Sequence, residues 1–198
     1  MGNLKLRLAG AEDAGAVSEI YRDYVAHTAV TFAGRAPSEE ELRERIASDG
    51  AVYPVLVCEM EGRVLGFAYA ARHMESAAFD FNAAVAMFVD KDAGGKGVGR
   101  ALYDALERML RAMGVINLYS QVAAPNPKAQ HLHTAMGYME AGRLHKAGFS
   151  QGRWRDVIFY EKSLALHDAA PKAVCPVRAL EEAQIAECLR QGARLLRG

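Results

Sequence analysis

Residues Ala84 to Leu106 read AVAMFVDKDAGGKGVGRALYDAL. An apolar, β-type run passes through a short polar bend into a glycine-rich loop, and the loop opens directly into an amphipathic helical pattern. Glycine at 95, 97 and 99 removes side chains, so the N–H groups of Gly95, Lys96, Gly97, Val98, Gly99 and Arg100 can turn toward a ligand. The first turn of the helix adds unpaired N–H donors and the positive end of its dipole. The stretch therefore predicts a seat for an anion, with a diphosphate as the fitting ligand.

Two other glycine loops fit the residues poorly. A nucleotide-triphosphatase loop requires Lys and then Ser or Thr after its last glycine, and here Gly99 is followed by Arg100 and Ala101. A dinucleotide loop is answered about twenty residues later by an acidic residue at the end of the next strand. Here the run from Val115 ends in Ser120 and Gln121.

Composition narrows the classes further. The 198 residues are 51% hydrophobic, enough for a full core and most simply one domain plus a short extension. Lys and Arg total 24 and Asp and Glu total 24, so no broad basic field attracts nucleic acid or an anionic membrane. A charged ligand must be held by a local site. Cys58, Cys175 and Cys188 are odd in number and form no CxxC pair, which argues against a disulfide framework or a thiolate metal site and for a reducing cytoplasm. That cysteine pattern leaves no metal expected, and since no apolar run has signal-peptide or membrane-span character, no membrane partner is expected either.

Along the chain, Leu4 to Leu8 reads as a strand and the stretch from about Ala11 to His27 as a helix. Ala29 to Phe32 reads as a loop or short strand. Pro37, Ser38 and Glu41 open a second helix that runs to about Ala47, with Ser and Glu three apart able to cap reciprocally. Pro54 to Met60 and Arg63 to Ala70 form a hairpin through Glu61 and Gly62, and Asn82 to Val89 is the next strand. An antiparallel meander thus feeds the glycine loop. The helix Gly99 to Met113 follows, then a strand Val115 to Gln121, a short helix Pro127 to Met136, and strands at Tyr138 to Leu144 and Val157 to Ser163. His167 to Pro176 reads as an Ala/Pro-rich linker, and Val177 to Leu196 resumes a helical stripe that packs on its own domain or on a partner subunit.

The element order, the run MFV before GGKGVG, and the segment NPKAQHLHTAMGY from Asn126 to Tyr138 together resemble the GNAT acyl-CoA-dependent N-acetyltransferases. More narrowly, IYRDYVAHTAVTF, YPVLVCEMEGRVLGFAYA, AAFDF, GRL and GFSQGRWRDVIFYEK look like the branch that acetylates phosphinothricin and methionine sulfone, over about Leu4 to Leu164. The resemblance implies an α/β (α+β) GNAT fold, a mixed, largely antiparallel sheet flanked by helices, over residues 1–166, with residues 167–198 as linker and C-terminal helical extension. It implies acetyl-CoA as cosubstrate, a small-molecule primary amine as acceptor, and a homodimer.

Carried over residue by residue, the resemblance implies that the backbone of Met87, Phe88 and Val89 pairs with the pantetheine arm while Gly95 to Arg100 hold the pyrophosphate. On the same resemblance, Asn126 is expected to bond the pantetheine beyond a splayed strand, and His133 to protonate the departing thiolate. Phe32, Ser76, Phe79 and Trp154 match positions around the acceptor pocket. Three positions depart from the branch. Gly94 stands where the loop usually begins with Arg or Gln, so cofactor binding leans on Lys91 or Lys96. Ser76 replaces an Arg expected to bind an acidic acceptor, which disfavours phosphinothricin itself. Ala84 replaces a Glu that is the branch's candidate base.

General-base catalysis contributes about 10²–10⁴-fold, so losing it slows an enzyme without abolishing proximity or oxyanion stabilisation. A lysine-like amine of pKa about 10.4 is neutral in roughly one molecule in 2,500 at pH 7, whereas an α-amine near 7.8 exceeds about one in ten. A Glu-less site suits the second kind, or one deprotonated through water by His73, Glu75 or Asp80. The expected reaction is direct attack of the neutral amine on the thioester, with strand backbone beside Val89 as oxyanion donor. Cys58 lies inside a predicted strand and is no nucleophile. Two alternatives remain: an acyl-CoA-binding module with weakened chemistry, and an acetyltransferase of protein or peptide N-termini.

Overall fold

The computed structural model describes residues 4–28, 31 and 34–197. Seven strands form one sheet in the order β1-β2-β3-β4-β5-β7-β6: β1 Leu4–Leu8, β2 Val55–Met60, β3 Arg63–Arg72, β4 Asn82–Val89, β5 Asn117–Ala124, β6 Met139–Ser150 and β7 Arg153–Ser163. Neighbours pair antiparallel except β4 and β5, which run parallel. The mixed, largely antiparallel sheet expected from the sequence is the one observed. The expected segment Ala29 to Phe32 lies almost wholly outside the described residues.

Helices cover both faces. On one face α1 (Ala14–His27) and α2 (Glu39–Ser48) pack Val17, Ile20, Leu42 and Ile46 onto Val57, Val64 and Phe67. The Ser38–Glu41 capping box forms as the spacing predicts, Ser38 Oγ accepting from Glu41 N–H at 3.2 Å and Glu41 Oε2 accepting from Ser38 N–H at 2.7 Å. On the other face α3 (Val98–Met113) buries Leu102, Tyr103, Leu106, Met109, Leu110 and Met113, each worth roughly 1.5–3 kcal/mol of burial. Gly114, at φ +95°, ends it in the left-handed conformation that suits glycine.

Helix α4 (Pro127–Ala135) starts at Asn126, whose Oδ1 accepts from Ala129 N–H at 3.2 Å. Helix α5 (Glu182–Ala193) lies on α3, and the approach is close: a Cβ on Gly192 would sit 2.7 Å from Ala101 O. Val177, Leu180 and Cys188 join the α3-side core, so the extension packs on its own domain.

Three boundaries differ from the sequence reading, each for a physical reason. Strands β6 and β7 run on into a long hairpin turned at Gln151–Gly152, because β6 is an edge strand exposed on both faces and shows no alternation to read. The last helix begins late: Val177–Ala179 is a single 3-10 turn, and Leu180, at ψ 143°, is extended before a cap at Glu181, whose N–H donates to Gln184 Oε1 at 3.1 Å. Strand β5 starts and ends later than read, because Val115 and Ile116 serve as a buried connector.

Candidate active site

Strands β4 and β5 part company midway. Their register runs Asn82–Asn117, Ala83–Leu118 and Ala84–Tyr119, and pairing stops there. Beyond that point the facing edges are free by parity. Asp90 N–H bonds Leu65 O at 2.8 Å, so even-numbered residues of β4 address β3 while Met87 and Val89 address the gap. The same logic on β5, from Leu164 N–H to Ile116 O at 2.7 Å, turns Gln121 and Ala123 toward the gap. Phe88 is the exception in the expected trio. Its N–H and C=O face Phe67 on β3, and its ring packs against Tyr21, Tyr24 and Phe67.

The gap opens into a cleft of about 490 Å³ lined by Met87, Val89, Gly99, Ser120, Asn126 and His133 among others. Its far end leads to the glycine loop. Ala101 N–H is the first to bond back into α3, to Gly97 O at 3.0 Å, so the N–H groups of Val98, Gly99 and Arg100 precede the first intrahelical acceptor. Gly95 and Gly97 hold φ +80° and +75°, which turns the loop backbone. Val98 drops its side chain into the core, and Gly99 lies against the Met87 side chain. Lys96 Nζ lies 3.4 Å from Asp92 O and Lys91 Nζ lies 3.8 Å from an Asp23 carboxylate, while Arg100 is exposed. Backbone donors, a free strand edge and a helix N-terminus in one line fit a phosphorylated, amide-bearing arm such as that of CoA.

One contact escaped the sequence. The Tyr24 hydroxyl donates to Val89 O at 2.9 Å and accepts from Val89 N–H at 3.3 Å, so α1 satisfies this residue of the free edge. No local pattern around Tyr24 announces a partner 65 residues away.

His133 sits at the cleft floor, buried to 4% exposure. Its Nδ1–H donates to Ala129 O at 2.8 Å, which fixes the neutral tautomer and leaves Nε2 to accept from Ser120 Oγ–H at 2.9 Å, with the Tyr103 hydroxyl at 3.4 Å. Burial holds its pKa below the ordinary 6.5, against a smaller upward pull from the Ala129 carbonyl. Burial also pushes the Tyr103 phenol well above its usual range. Rings of Tyr160, Tyr138 and Tyr103 enclose the imidazole at 4.8, 5.1 and 5.5 Å.

Across the sheet a second cavity of about 260 Å³ is lined by Tyr69, His73, Ala84, Tyr119, Gln121 and Phe159 among others. Ala86, Ser120 and Gln121 line both cavities, so the two meet where β4 and β5 part. Of the acceptor residues expected from the sequence, none of the three described ones lines this wall. Ser76 lies on the exposed loop after β3, where its carbonyl accepts from Phe79 N–H at 2.9 Å. Phe79 is 38% exposed, and Trp154 is 61% exposed on β7, edge-on to Phe149 at 5.5 Å. Phe32 lies outside the described residues. Tyr69, Tyr119 and Phe159 escaped the sequence reading: alternation gives each a face of its own strand, and only the register of β3, β4, β5 and β7 brings them to one wall. Cys58 is fully buried, and burial pushes its thiol up to about 11, so it offers no nucleophile. Among the described residues no cluster of metal-ligating side chains occurs, and no helix is long and apolar enough to cross a membrane.

A free strand edge beside a splayed parallel neighbour, ending on a glycine loop and a helix N-terminus, defines a binder of a nucleotide-linked acyl carrier, and the comparisons with known proteins agree. The acetyltransferase (GNAT) domain profile matches residues 6–159, and the chain belongs to this family of acyl-CoA N-acetyltransferases. It is 32% identical over 174 residues to a phosphinothricin N-acetyltransferase of Streptomyces viridochromogenes, covering 88% of this chain and 94% of that one. It is 30% identical over 171 residues to an L-methionine sulfoximine/L-methionine sulfone acetyltransferase of Salmonella typhimurium, covering 86% and 99%. The crystal structure of a phosphinothricin acetyltransferase from Sinorhizobium meliloti in complex with acetyl-CoA superposes with TM-score 0.81 at 31% identity, covering 89% of this chain and 97% of that one.

Proposed function

We propose that this protein transfers the acetyl group of acetyl-CoA to the primary amine of a small, amino-acid-like molecule by direct attack. The observation that carries the reading is the junction at Ala86, Ser120 and Gln121, where the cleft that suits the cofactor meets the aromatic cavity. When bound, acetyl-CoA supplies an activated acetyl thioester. In this proposal the loop from Gly95 to Arg100 holds the diphosphate, the Met87 C=O on the β4 edge accepts from a pantetheine amide, and the Asn126 amide nitrogen, left free by the Oδ1 cap, donates to the same arm. With Val89 N–H engaged by Tyr24, Met87 N–H is the strand donor left to polarise the acetyl carbonyl. His133 acts through Ser120, whose hydroxyl it orients, and protonation of the departing thiolate by His133 itself requires the charged imidazole that burial opposes.

The small volume of the second cavity and its walls of Tyr69, Tyr119 and Phe159 favour a small acceptor over a protein N-terminus. The names of the relatives point the same way. We further propose a homodimer through the outer hairpin, where Met139, Leu144, Phe149 and Trp154 are each more than half exposed. The unpaired cysteines suit a cytoplasmic enzyme.

Calorimetry with acetyl-CoA and thiol release with L-methionine sulfone, L-methionine sulfoximine and phosphinothricin test the reading. Micromolar binding with turnover on at least one amine is expected. Binding without turnover on an amino-acid and amine panel makes the protein an acyl-CoA-binding module, and absence of binding sinks both readings. Light scattering tests the dimer, with Trp154→Ser expected to shift the population toward monomer.

A further inference from the structure

We propose that His73 is the general base of this enzyme, taking the proton of the acceptor ammonium from across the cavity that Ala84 leaves without a carboxylate. The inference rests on the acetyl-transfer reading above. His73 follows directly on β3, which ends at Arg72, and it lines the same cavity as Ala84 and Tyr119. Its ring lies parallel to that of Tyr119, with centroids 4.2 Å apart and planes 13° apart. Tyr119 is the residue paired with Ala84 at the last rung before the strands separate. The stack therefore pins an imidazole in the wall of the cavity, beside the last rung at Ala84.

The other groups on this wall do not compete. No carboxylate lines the cavity among the described residues. The phenols of Tyr69 and Tyr119 share it, and burial raises Tyr69, which keeps its proton. Arg72 is committed to Asp80 at 2.5 Å and donates to Met74 O at 2.9 Å, and Glu75 is exposed outside the cavity. Burial lowers His73 from its ordinary 6.5, so near neutral pH the ring is uncharged and has a lone pair to offer. Its partial exposure gives the proton a way out to solvent.

The step balances without a further reactant. The ammonium gives one proton to the unprotonated imidazole nitrogen, directly or through one water. The freed nitrogen lone pair forms the bond to the acetyl carbon, the carbon–sulfur bond breaks with its electron pair left on sulfur, and the second proton, shed by the nitrogen as the amide forms, goes to that thiolate. The imidazolium then releases the proton to bulk water, and nothing is oxidised or reduced.

The test is the pH profile of kcat/KM for acetyl transfer to L-methionine sulfone, alongside calorimetric titration with acetyl-CoA. Wild-type protein is expected to lose activity with one proton on the acid side, below pH 6.5. His73→Gln is expected to lower kcat/KM about a hundredfold or more and to abolish that acid limb. Acetyl-CoA affinity should be unchanged, and adding Ala84→Glu should restore at least about tenfold of the rate. His73→Phe keeps an aromatic ring to stack on Tyr119 without a base. Retained activity in that variant overturns the proposal and makes residue 73 a wall of the pocket, as does a slower His73→Gln enzyme with its acid limb intact. A wild-type protein that binds acetyl-CoA but acetylates no amine overturns the functional reading, and this proposal with it. Turnover unaffected by either substitution overturns this proposal alone.

Discussion

The two cavities that meet at Ala86, Ser120 and Gln121 are built in opposite ways. In the proposed reading the cofactor side is made of backbone: Met87 on the strand edge left free beside Val89, which Tyr24 engages, glycine at 95 and 97 in left-handed conformations, and the open turn of α3. The acceptor side is made of side chains, drawn from Tyr69 on β3, Ala84 on β4, Tyr119 and Gln121 on β5 and Phe159 on β7. Backbone recognition reads what every acyl-CoA shares, and its geometry tolerates side-chain change as long as glycine stays where φ is positive. Side-chain recognition changes with each substitution. One enzyme frame can thus keep its donor while exchanging its acceptor, and the base proposed at His73 opposite Ala84 would be such an exchange.

The largest effect should come from breaking the buried ion pair that ties β7 to α3. Lys162 Nζ lies 2.5 Å from Glu107 Oε2 and 2.6 Å from Met136 O, tying β7 to α3 and to the end of α4, with both side chains largely buried. Burial pulls the Glu107 carboxyl up while Lys162 opposes it. Lys162→Met strands that carboxylate and is expected to cost about 3–5 kcal/mol in denaturant unfolding. Adding Glu107→Leu should recover most of the loss, because an apolar pair can replace a buried ion pair. If the double variant is no more stable than the single one, packing around the Lys162 stem, which also lies over the Tyr138 ring at 5.4 Å, is the real contribution.

Next in size is a lesion of the cradle itself. A Cβ on Gly97 would sit 2.2 Å from Leu195 O, in a residue at φ +75°, and Arg197 N–H bonds Lys96 O at 2.9 Å. The C-terminal segment therefore braces the loop from outside. Gly97→Val adds roughly 1–2 kcal/mol of left-handed strain to that collision, so acetyl-CoA affinity should fall at least about tenfold by calorimetry. The acceptor side should be untouched, visible as unchanged ring signals of His73 and Tyr119 by NMR. Shifted signals there would show that the two sides are coupled through α3 rather than independent.

A smaller effect follows from titration. His133 and His73 both have pKa values lowered by burial, so the native state resists protonation that the unfolded chain accepts near 6.5. Stability conferred by the neutral rings is present above that value and is lost as pH falls below it toward the folded pKa values. Each ring contributes a slope of at most about 1.4 kcal/mol per pH unit. Urea midpoints between pH 7.5 and 5.5 should decline, and His73→Gln should remove part of the decline, leaving the share of His133 on the cofactor floor.

The same division explains what was legible in the sequence. The glycine run, the strand before it and the helix after it lie within 23 consecutive residues, so local periodicity and turn chemistry were enough to read the strand–loop–helix unit and the meander. Phe88 was grouped with Met87 and Val89 because a strand read from sequence alone does not say which edge is free; only the partner's register does. The acceptor wall was illegible for another reason. Its members are separated by up to 90 residues, from Tyr69 to Phe159, and are joined only by pairing across four strands. Trp154, aromatic and suggestive in sequence, is carried away from that wall by the long β6–β7 hairpin whose exposed edge left no alternation to read.

The smallest expected effect is a gain. Gly94 has φ −57° and ψ 142°, ordinary values for any L residue, and a Cβ there meets nothing within 4 Å. No backbone need requires glycine at this position, unlike at Gly95 and Gly97 beside it. Gly94→Arg therefore adds a cation to a seat made of neutral donors, without strain. Exposed charge pairs are worth about 0.2–1 kcal/mol, so acetyl-CoA affinity should rise up to about fivefold at low salt, and the gain should shrink as ionic strength increases. A salt-independent gain would mean that the new side chain packs against the ligand instead of pairing with its phosphates. No gain at any salt would mean that position 94 points away from the diphosphate, and that the loop binds it through backbone N–H groups alone.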